Sequence, residues 1–483
     1  MSKYQFKTKP YEHQMNTLKK SWNASFYALF LEMGTGKSKI TVDNIGVLYQ
    51  QGLINTALII APKGVYSNWV EKEIPSHISD EVSYDILQWK PAKTKRFEKR
   101  LVQIITQSSE KLKIMVFNVE AFSTTRATEI AQAFLEKNPN NIVVVDESST
   151  IKNRSAARTK NIMTLRPLSK FRRILTGSPI TKSPLDLFSQ CNFLSKNCLG
   201  YSNFFAFQAR YAKVQKRSMG HRSFNQIVGY KQLDELSDRL EKFSQRITKK
   251  ECLDLPEKIY TRREVELTKD QVSAYTQMQK LALAMLEGGE LSTTASVLTQ
   301  LMRLQQICCG HITTDDGDII ELKSNRLNAL MELVDEVSGK AIIWANYTHD
   351  ILAIAEALRT RFEDSEVAET FYGATPQDER QKIVNKFQDP ESPLRFFVGQ
   401  PKTGGFGLTL TEANTVIYFS NSYDLELRLQ SEDRAHRIGQ RSAVTYVDFV
   451  SPNTIDEKIL DSLRNKISLA GQVLKEDVAA WLT

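Results

Sequence analysis

A lysine and a hydroxyl stand directly after two glycines in Glu32-Met-Gly-Thr-Gly-Lys-Ser38, behind an apolar run that ends at Leu31 and ahead of a helical pattern. A turn of this kind cradles phosphate. Gly34 and Gly36 let backbone N–H groups face the oxygens, Lys37 reaches the β and γ positions, and Ser38 can ligate magnesium. The position five before Gly36 is Leu31, so the strict GxxxxGKS pattern is not met. Further on, Ile142-Val-Val-Val-Asp-Glu147 puts two carboxylates at the end of an apolar strand. Asp146 there can hold magnesium through water, and Glu147 can take a proton from an attacking water. Near the C-terminus, Gln430-Ser-Glu-Asp-Arg-Ala-His-Arg-Ile-Gly-Gln440 carries Arg434 and Arg437 three apart. On a helix that spacing shares one face, and two planar guanidiniums aimed together suit a transferring phosphoryl group.

Phosphate chemistry of this kind needs strand ends to hold it, and the sequence supplies them. Short β-branched runs recur at Phe26 to Glu32, Thr56 to Pro62, Lys113 to Asn118, Ile142 to Glu147 and Arg173 to Thr176, with helical patterns between. A second series follows at Lys340 to Asn346, Arg395 to Gly399, Thr415 to Ser420 and Thr445 to Val450. Strands alternating with helices predict βαβ units and a parallel sheet in each of two α/β lobes. The expected division is residues 1–194 for the first lobe and 256–453 for the second. Residues 195–255 read as a basic, helical insertion, in which Leu233, Leu236 and Leu240 share a helix face, and 454–483 as a helical tail.

Lys and Arg number 64 against 56 Asp and Glu, a net charge of +8. The distribution says more than the sum. Lys152 to Arg173 holds Lys152, Arg154, Arg158, Lys160, Arg166, Lys170, Arg172 and Arg173 with no acidic residue, and Ser195 to Leu233 holds another acid-free set of cations. Both are expected to face phosphate. Apolar stretches are strand length, far short of the roughly 18 residues a spanning helix needs, and the first ten residues have no signal-like apolar core. No membrane association is expected, and the expected place is inside a cell: cytoplasm or nucleoid, or the host cell for a viral source. Five cysteines without a CxxC pair read as thiols in the core rather than a disulfide framework or zinc site.

Taken in order, these motifs resemble the Swi/Snf-type ATPases of helicase superfamily two, double-stranded DNA translocases with two RecA-like parallel-sheet lobes. Glu32 to Ser38 is similar to the family's phosphate loop, which also lacks the first glycine. Pro62 to Trp69, Asp146-Glu-Ser-Ser-Thr-Ile-Lys-Asn153, Leu175-Thr-Gly-Ser-Pro-Ile180, Gly373 to Arg380, Thr403-Gly-Gly-Phe-Gly-Leu408 and Gln430 to Gln440 follow in the family's order. The resemblance implies ATP and Mg2+ as cofactors and hydrolysis in the cleft between the lobes. Gln14 would read adenine. Gly34, Thr35, Gly36, Lys37 and Ser38 would bind phosphates, and Ser38 and Asp146 would hold magnesium. Glu147 would activate water, with Arg434 and Arg437 as arginine fingers and Gln430 near the γ-phosphate. Thr176, Gly177 and Ser178 would couple ATP state to lobe movement, and Lys152, Asn153, Thr403 and Gly404 would touch the DNA backbone. The implied partner is duplex DNA of any sequence, bound by a monomer.

Three departures stand out. Ser149 replaces the family's histidine, which puts in doubt the link from the Asp-Glu motif to the coupling segment, while Tyr423 replaces a common tryptophan and Thr409 a common asparagine. Phe204 to Tyr211 and Gly229 to Leu236 resemble the annealing-helicase branch. Two alternatives stay open at this point: a strand-separating or annealing helicase working on forks or single strands, and a binding clamp that has lost catalysis. The latter would have had little reason to keep Lys37, Asp146, Glu147, Arg434 and Arg437 together.

Overall fold

The computed structural model describes residues 4–92, 94–219, 222–287, 294–404 and 408–475. It divides into two compact units. One holds the chain up to Val214, Ile227–Asp254 and a short piece from Leu469; the other holds Gln215–Gln226 and Leu255–Ser468. Among the described residues no helix is long and apolar enough to cross a membrane.

The first unit is built on a seven-stranded parallel sheet. Its spatial order is Tyr84–Gln88, Leu112–Asn118, Thr56–Ala61, Asn141–Val145, Phe171–Leu175, Phe26–Leu31 and Ser244–Ile247. Side chains of successive residues point to opposite faces, and both faces are buried. Phe30, Leu58, Ile60, Val143 and Val145 pack on one side. Leu29, Leu31, Ala57, Ile59, Ile142 and Val144 pack on the other. The second unit repeats the plan with six parallel strands, in the order Lys258–Glu264, Val444–Val450, Ala413–Tyr418, Lys340–Trp344, Phe396–Gly399 and Ala368–Phe371. The α/β class with two RecA-like parallel-sheet lobes is therefore as the sequence predicts.

Four strands of these two sheets escaped the sequence reading: Tyr84–Gln88, Ser244–Ile247, Lys258–Glu264 and Ala368–Phe371. They are the four edges of the two sheets. An edge strand is half solvated and needs no continuous apolar run, so Ser-Gln-Arg-Ile and Lys-Ile-Tyr-Thr-Arg-Arg-Glu carry little hydrophobic signal. Within 195–255 the structure has the helices Phe204–Tyr211 and Leu233–Glu241, but also a pair of strands, Ala212–Met219 and Arg222–Tyr230, that form a sheet of their own. Phe207, Tyr211, Leu236 and Leu240 join the core of the first sheet. The C-terminal helix runs Ile455–Leu474. Cys191, Cys308 and Cys309 are buried, and Cys198 and Cys252 are partly so.

In the acid-free stretch from Lys152 to Arg173, Arg154 and Lys160 are exposed, but the cations from Arg166 to Arg173 are taken up by partners within the fold. Arg166 donates to Asn192 O at 2.9 Å, Arg172 to Leu194 O at 2.7 Å, and Arg173 to Ser21 O at 2.8 Å and Asn44 Oδ1 at 3.0 Å. Lys170 bonds Leu53 O at 2.9 Å. These cations satisfy backbone carbonyls at element ends, a use that needs no acidic neighbour and leaves the same sequence pattern.

Candidate active site

The phosphate loop leaves the sheet at Leu31 and enters the helix Lys37–Gln50 through Gly34 at φ +81° and Gly36 at φ +93°. A side chain is strained at both angles. At Gly36 it would also collide with Gln14, whose Nε2 lies 2.1 Å from the place a Cβ would take. Lys37 is buried, and its ammonium donates to Leu31 O at 2.9 Å and Glu32 O at 3.3 Å. Thr35 Oγ1 donates back to Glu32 O at 2.8 Å, closing the loop on itself. Ser38 is half-buried in the first turn of the helix, where backbone N–H groups have no intrahelical acceptor.

Gln14 is buried and uses both ends of its amide. Oε1 accepts from Tyr11 N at 3.0 Å, starting the helix Glu12–Ser21, and Nε2 donates to Thr35 O at 3.2 Å. His13 Nε2 meets the same carbonyl at 2.8 Å. His13 is thus a second tie to the loop, and nothing in its spacing marks it in sequence.

Asp146 is placed by the sheet itself. Its N–H donates to Ile60 O at 2.7 Å, extending the Ile60–Val145 pairing one residue past the strand. Its side chain takes two neutral donors, Trp69 Nε1 on Oδ2 at 2.9 Å and Glu147 N on Oδ1 at 2.9 Å. Burial pushes the Asp146 carboxyl above the usual carboxylate range, and Trp69, Lys37 and the Glu147 amide pull the other way. A buried carboxylate held by neutral donors retains its charge for a cation, so the donor set fits magnesium. Trp69 opens a π-helical turn, Trp69–Glu73, and its role in orienting Asp146 is absent from the sequence reading, which quoted it only as the end of a motif.

Glu147 adopts the left-handed conformation at φ +46° and ψ +60°, uncommon for a side chain with a Cβ. This turn aims its carboxylate at the neighbouring strand end, where Thr176 Oγ1 donates to Oε2 at 3.4 Å. Thr176 is itself placed by its N–H on Leu29 O at 3.2 Å, and its hydroxyl accepts from Ser178 N at 3.1 Å. Gly177 packs so close that a Cβ would meet Met33 N at 3.3 Å. Arg246, from an unforeseen edge strand, donates to Phe30 O at 2.8 Å and Gly177 O at 2.9 Å, tying the loop strand to this segment.

The two motifs stay linked although Ser149 replaces histidine. Ser148 Oγ donates to Gln190 Oε1 at 2.8 Å, and Gln190 Nε2 donates to Pro179 O at 2.7 Å. Lys152 Nζ adds a bond to Thr181 Oγ1 at 2.6 Å. Exposed Asn153 folds its side chain into a turn, accepting from Ser155 N at 3.1 Å.

In the second unit the helix is Leu425–Glu432. It ends before Arg434, so Arg434 and Arg437 do not share a helix face as their spacing predicts. They lie in the turns that follow and converge by another route: Arg434 Nη1 and Arg437 Nη1 both donate to Leu408 O, at 3.1 and 3.0 Å. Thr409 Oγ1 accepts from Arg437 at 3.0 Å, so the residue that departs from the family pattern holds this guanidinium. Gln430, on the helix, is buried, and its Oε1 has no hydrogen-bond partner. Gln440 is structural: its amide spans Thr411 O, Ala413 O and Ala435 O at 3.0, 2.8 and 3.1 Å. Thr403 and Gly404 lie on the short helix Pro401–Gly404, where Thr403 Oγ1 donates to Gln400 Oε1 at 3.3 Å. The rest of that motif, Gly405, Phe406 and Gly407, lies outside the described residues.

Comparison with known proteins gives the family. Residues 16–312 match the SNF2-related domain, and residues 325–439 match the helicase conserved C-terminal domain. The chain is 26% identical over 455 residues to an uncharacterized ATP-dependent helicase of Mycoplasma genitalium, covering 92% of this chain and 40% of that protein. It is likewise 26% identical over 471 residues to the ISWI chromatin-remodeling complex ATPase of Saccharomyces cerevisiae, covering 92% and 39%. The chain therefore spans about two fifths of the length of these relatives. Among solved structures it is similar to the Sulfolobus solfataricus SWI2/SNF2 ATPase core in complex with dsDNA, at 23% identity and a TM-score of 0.42, covering 99% of this chain and 95% of that one.

Proposed function

The protein belongs to the SNF2-related family, and from that premise we propose that it is an ATP-hydrolysing motor that tracks along double-stranded DNA without needing to separate the strands. The observation that carries the proposal is the junction of three strand ends in the first unit. There the phosphate loop, the Trp69-oriented Asp146 and the Thr176-linked Glu147 meet. Lys37 and the first-turn N–H groups bind the β and γ phosphates, and Gln14 holds the loop and the base. Ser38 and Asp146 would hold magnesium, which when bound would offset charge on the phosphate oxygens. Glu147 accepts the proton of the attacking water, and its contact with Thr176 passes the state of the site to the Thr176–Ser178 segment. The motif resemblance gives Arg434 and Arg437 the role of balancing charge on a transferring phosphoryl group, and Gln430 a role near the γ-phosphate. Duplex DNA is the partner named for the archaeal core, and helicase is the activity named for the mycoplasma protein.

The test is steady-state ATP hydrolysis with duplex DNA, single-stranded DNA and RNA added separately, joined to displacement of a third strand from a duplex with no free end nearby. Stimulation greatest with duplex, and release of the third strand without unwinding, support the motor. Equal stimulation by RNA, or no release, gives the function to the strand-separating or annealing alternative.

A further inference from the structure

We propose that the two-stranded ribbon Ala212–Met219 and Arg222–Tyr230 is a DNA-gripping arm that lies in the major groove of duplex DNA and meets the phosphates on both walls. The inference rests on the duplex-motor reading above and adds a named contact surface to it. Its sequence, 212–230, holds four Lys or Arg and no Asp or Glu. The strands bond to each other alone, as a sheet separate from both larger ones. An isolated pair of strands gains little from burial. Among its described side chains, Lys213, Val214, Gln215, Lys216 and Arg217 are all exposed, as are Ser223, Asn225, Gln226 and Val228. Since successive residues point to opposite faces, both faces are open.

The cations are divided between those faces. Lys213 and Arg217 share one, Lys216 stands on the other, and none of the three makes an ion pair among the described residues. Arg210, just before the ribbon, is different: it bonds Glu235 Oε2 at 2.9 Å. Cations on one face alone would suit a flat polyanionic surface. Cations on both faces suit a slot with two anionic walls. A sheet with its side chains is about 10 Å thick. The major groove of B-form DNA is about 12 Å wide and takes a two-stranded ribbon, whereas the minor groove, at about 6 Å, does not. The base of the ribbon is anchored. Tyr211 and Ala212 are buried in the first unit's core, Ile227 and Tyr230 pack against it, and Lys231 N closes the pair on Tyr211 O at 2.9 Å. A packed root with a basic, two-faced exposed length is the form a groove-following contact needs.

The experiment compares the full chain with its K213Q/K216Q/R217Q variant, binding blunt duplexes of three unrelated sequences between about 50 and 200 mM salt. All three positions are exposed, and an unchanged thermal unfolding midpoint shows that the variant folds. The expected result is at least a tenfold weaker Kd for every sequence, with the slope of log K against log salt shallower by about 2.7, three phosphates at about 0.9 each. Guanine N7 methylation, a major-groove reaction, should be blocked by the wild type and restored with the variant. An A-form RNA duplex has a major groove too deep and narrow for the ribbon, so its affinity should be the same for both proteins. An unchanged salt slope, or wild-type binding that leaves N7 reactive, overturns the arm. Loss of affinity for polyglutamate in place of duplex gives the ribbon to an acidic protein partner and also overturns it. Failure of the motor reading shows separately, as wild-type ATP turnover that duplex DNA does not raise while binding and N7 protection persist.

Discussion

The two units bury carboxylates in opposite ways. In the first, Asp146 and Asp43 sit in the interior with their charge only partly answered. Burial pushes Asp43 up to about 6, against the pull of Lys39 at 2.8 Å, and Asp146 moves in the same direction. In the second, Glu432 is fully buried yet held below the usual range. Desolvation opposes its charge, but Lys258 at 3.1 Å and Arg428 at 2.8 Å outweigh it. Arg428 also pairs with Asp448, bonds Asn421 Oδ1 at 2.6 Å and lies 3.5 Å over the Tyr418 ring. A closed network of this kind has no charge left for a ligand, while Asp146, held by an indole and an amide, does. Chemistry belongs where burial is left unpaid, and architecture where it is matched.

The sharpest test of the first half is Glu147→Gln. Its neutral amide keeps shape and the Thr176 contact but cannot take a proton, so turnover should fall by about 100- to 10,000-fold. ATP affinity should stay near normal. Turnover like the wild type's would remove Glu147 from the chemistry and leave its left-handed backbone without a function. The matching test of the second half is Arg428→Ala. It strands Asp448 and Glu432 in the interior, and the unfolding transition of the second unit should lose about 3 to 5 kcal/mol. A loss below about 1 kcal/mol, read by denaturant titration, would mean that the network is not matched but merely crowded.

A third prediction uses pH to tell the two kinds of burial apart. Asp43 binds its proton more tightly folded than unfolded, so its contribution to stability falls as pH rises from about 4 towards 6 and is level above that. Two pH units correspond to about 2 to 3 kcal/mol. Asp43→Asn cannot ionise, and relative to the wild type it should be more stable at pH 7 than at pH 4 by about that amount. Glu432 has the other sign: its folded value is lowered, so its contribution is present above the ordinary glutamate range and is lost as pH falls through it. A difference between Asp43→Asn and wild type that does not change with pH would show that Asp43 is not strained by burial.

How far the sequence could be read follows the same division. Central strands such as Ile142–Val145 and Thr56–Ala61 are buried on both faces and announce themselves as unbroken apolar runs. The edges Ser244–Ile247 and Lys258–Glu264 do not, because half their surface is solvated. The groups proposed to do the chemistry stood out because their type is unusual for their place: a lysine after two glycines, two acids at the end of an apolar strand. Groups that aim them did not. Trp69, His13 and Arg246 act through hydrogen bonds to partners far along the chain, and no local period records that. Charge runs misled for a related reason. Arg166, Arg172 and Arg173 are acid-free because their partners are carbonyls, which composition cannot count.

The smallest expected effect tests whether the second unit's arginine is aimed as finely as the first unit's carboxylates. The bonds of Arg437 include those to Leu408 O and Thr409 Oγ1, each at 3.0 Å. Thr409→Val keeps the volume and removes one of them, a loss of about 1 kcal/mol in holding the guanidinium. On the proposed role the guanidinium acts in the transition state, so the loss should appear in kcat as about a three- to sixfold drop, with KM for ATP unchanged. Thr409→Asn restores a polar acceptor of the kind the sequence lacks at this position, and it should recover most of the rate. If Thr409→Val turns over like the wild type, the Thr409 hydroxyl does not set the guanidinium, and the bond to Leu408 O and other contacts of Arg437 hold it in place. If Thr409→Val and Thr409→Asn lose rate equally, the hydroxyl's exact reach matters and not merely its polarity, which would bring Arg437 close to Asp146 in how narrowly its surroundings define it.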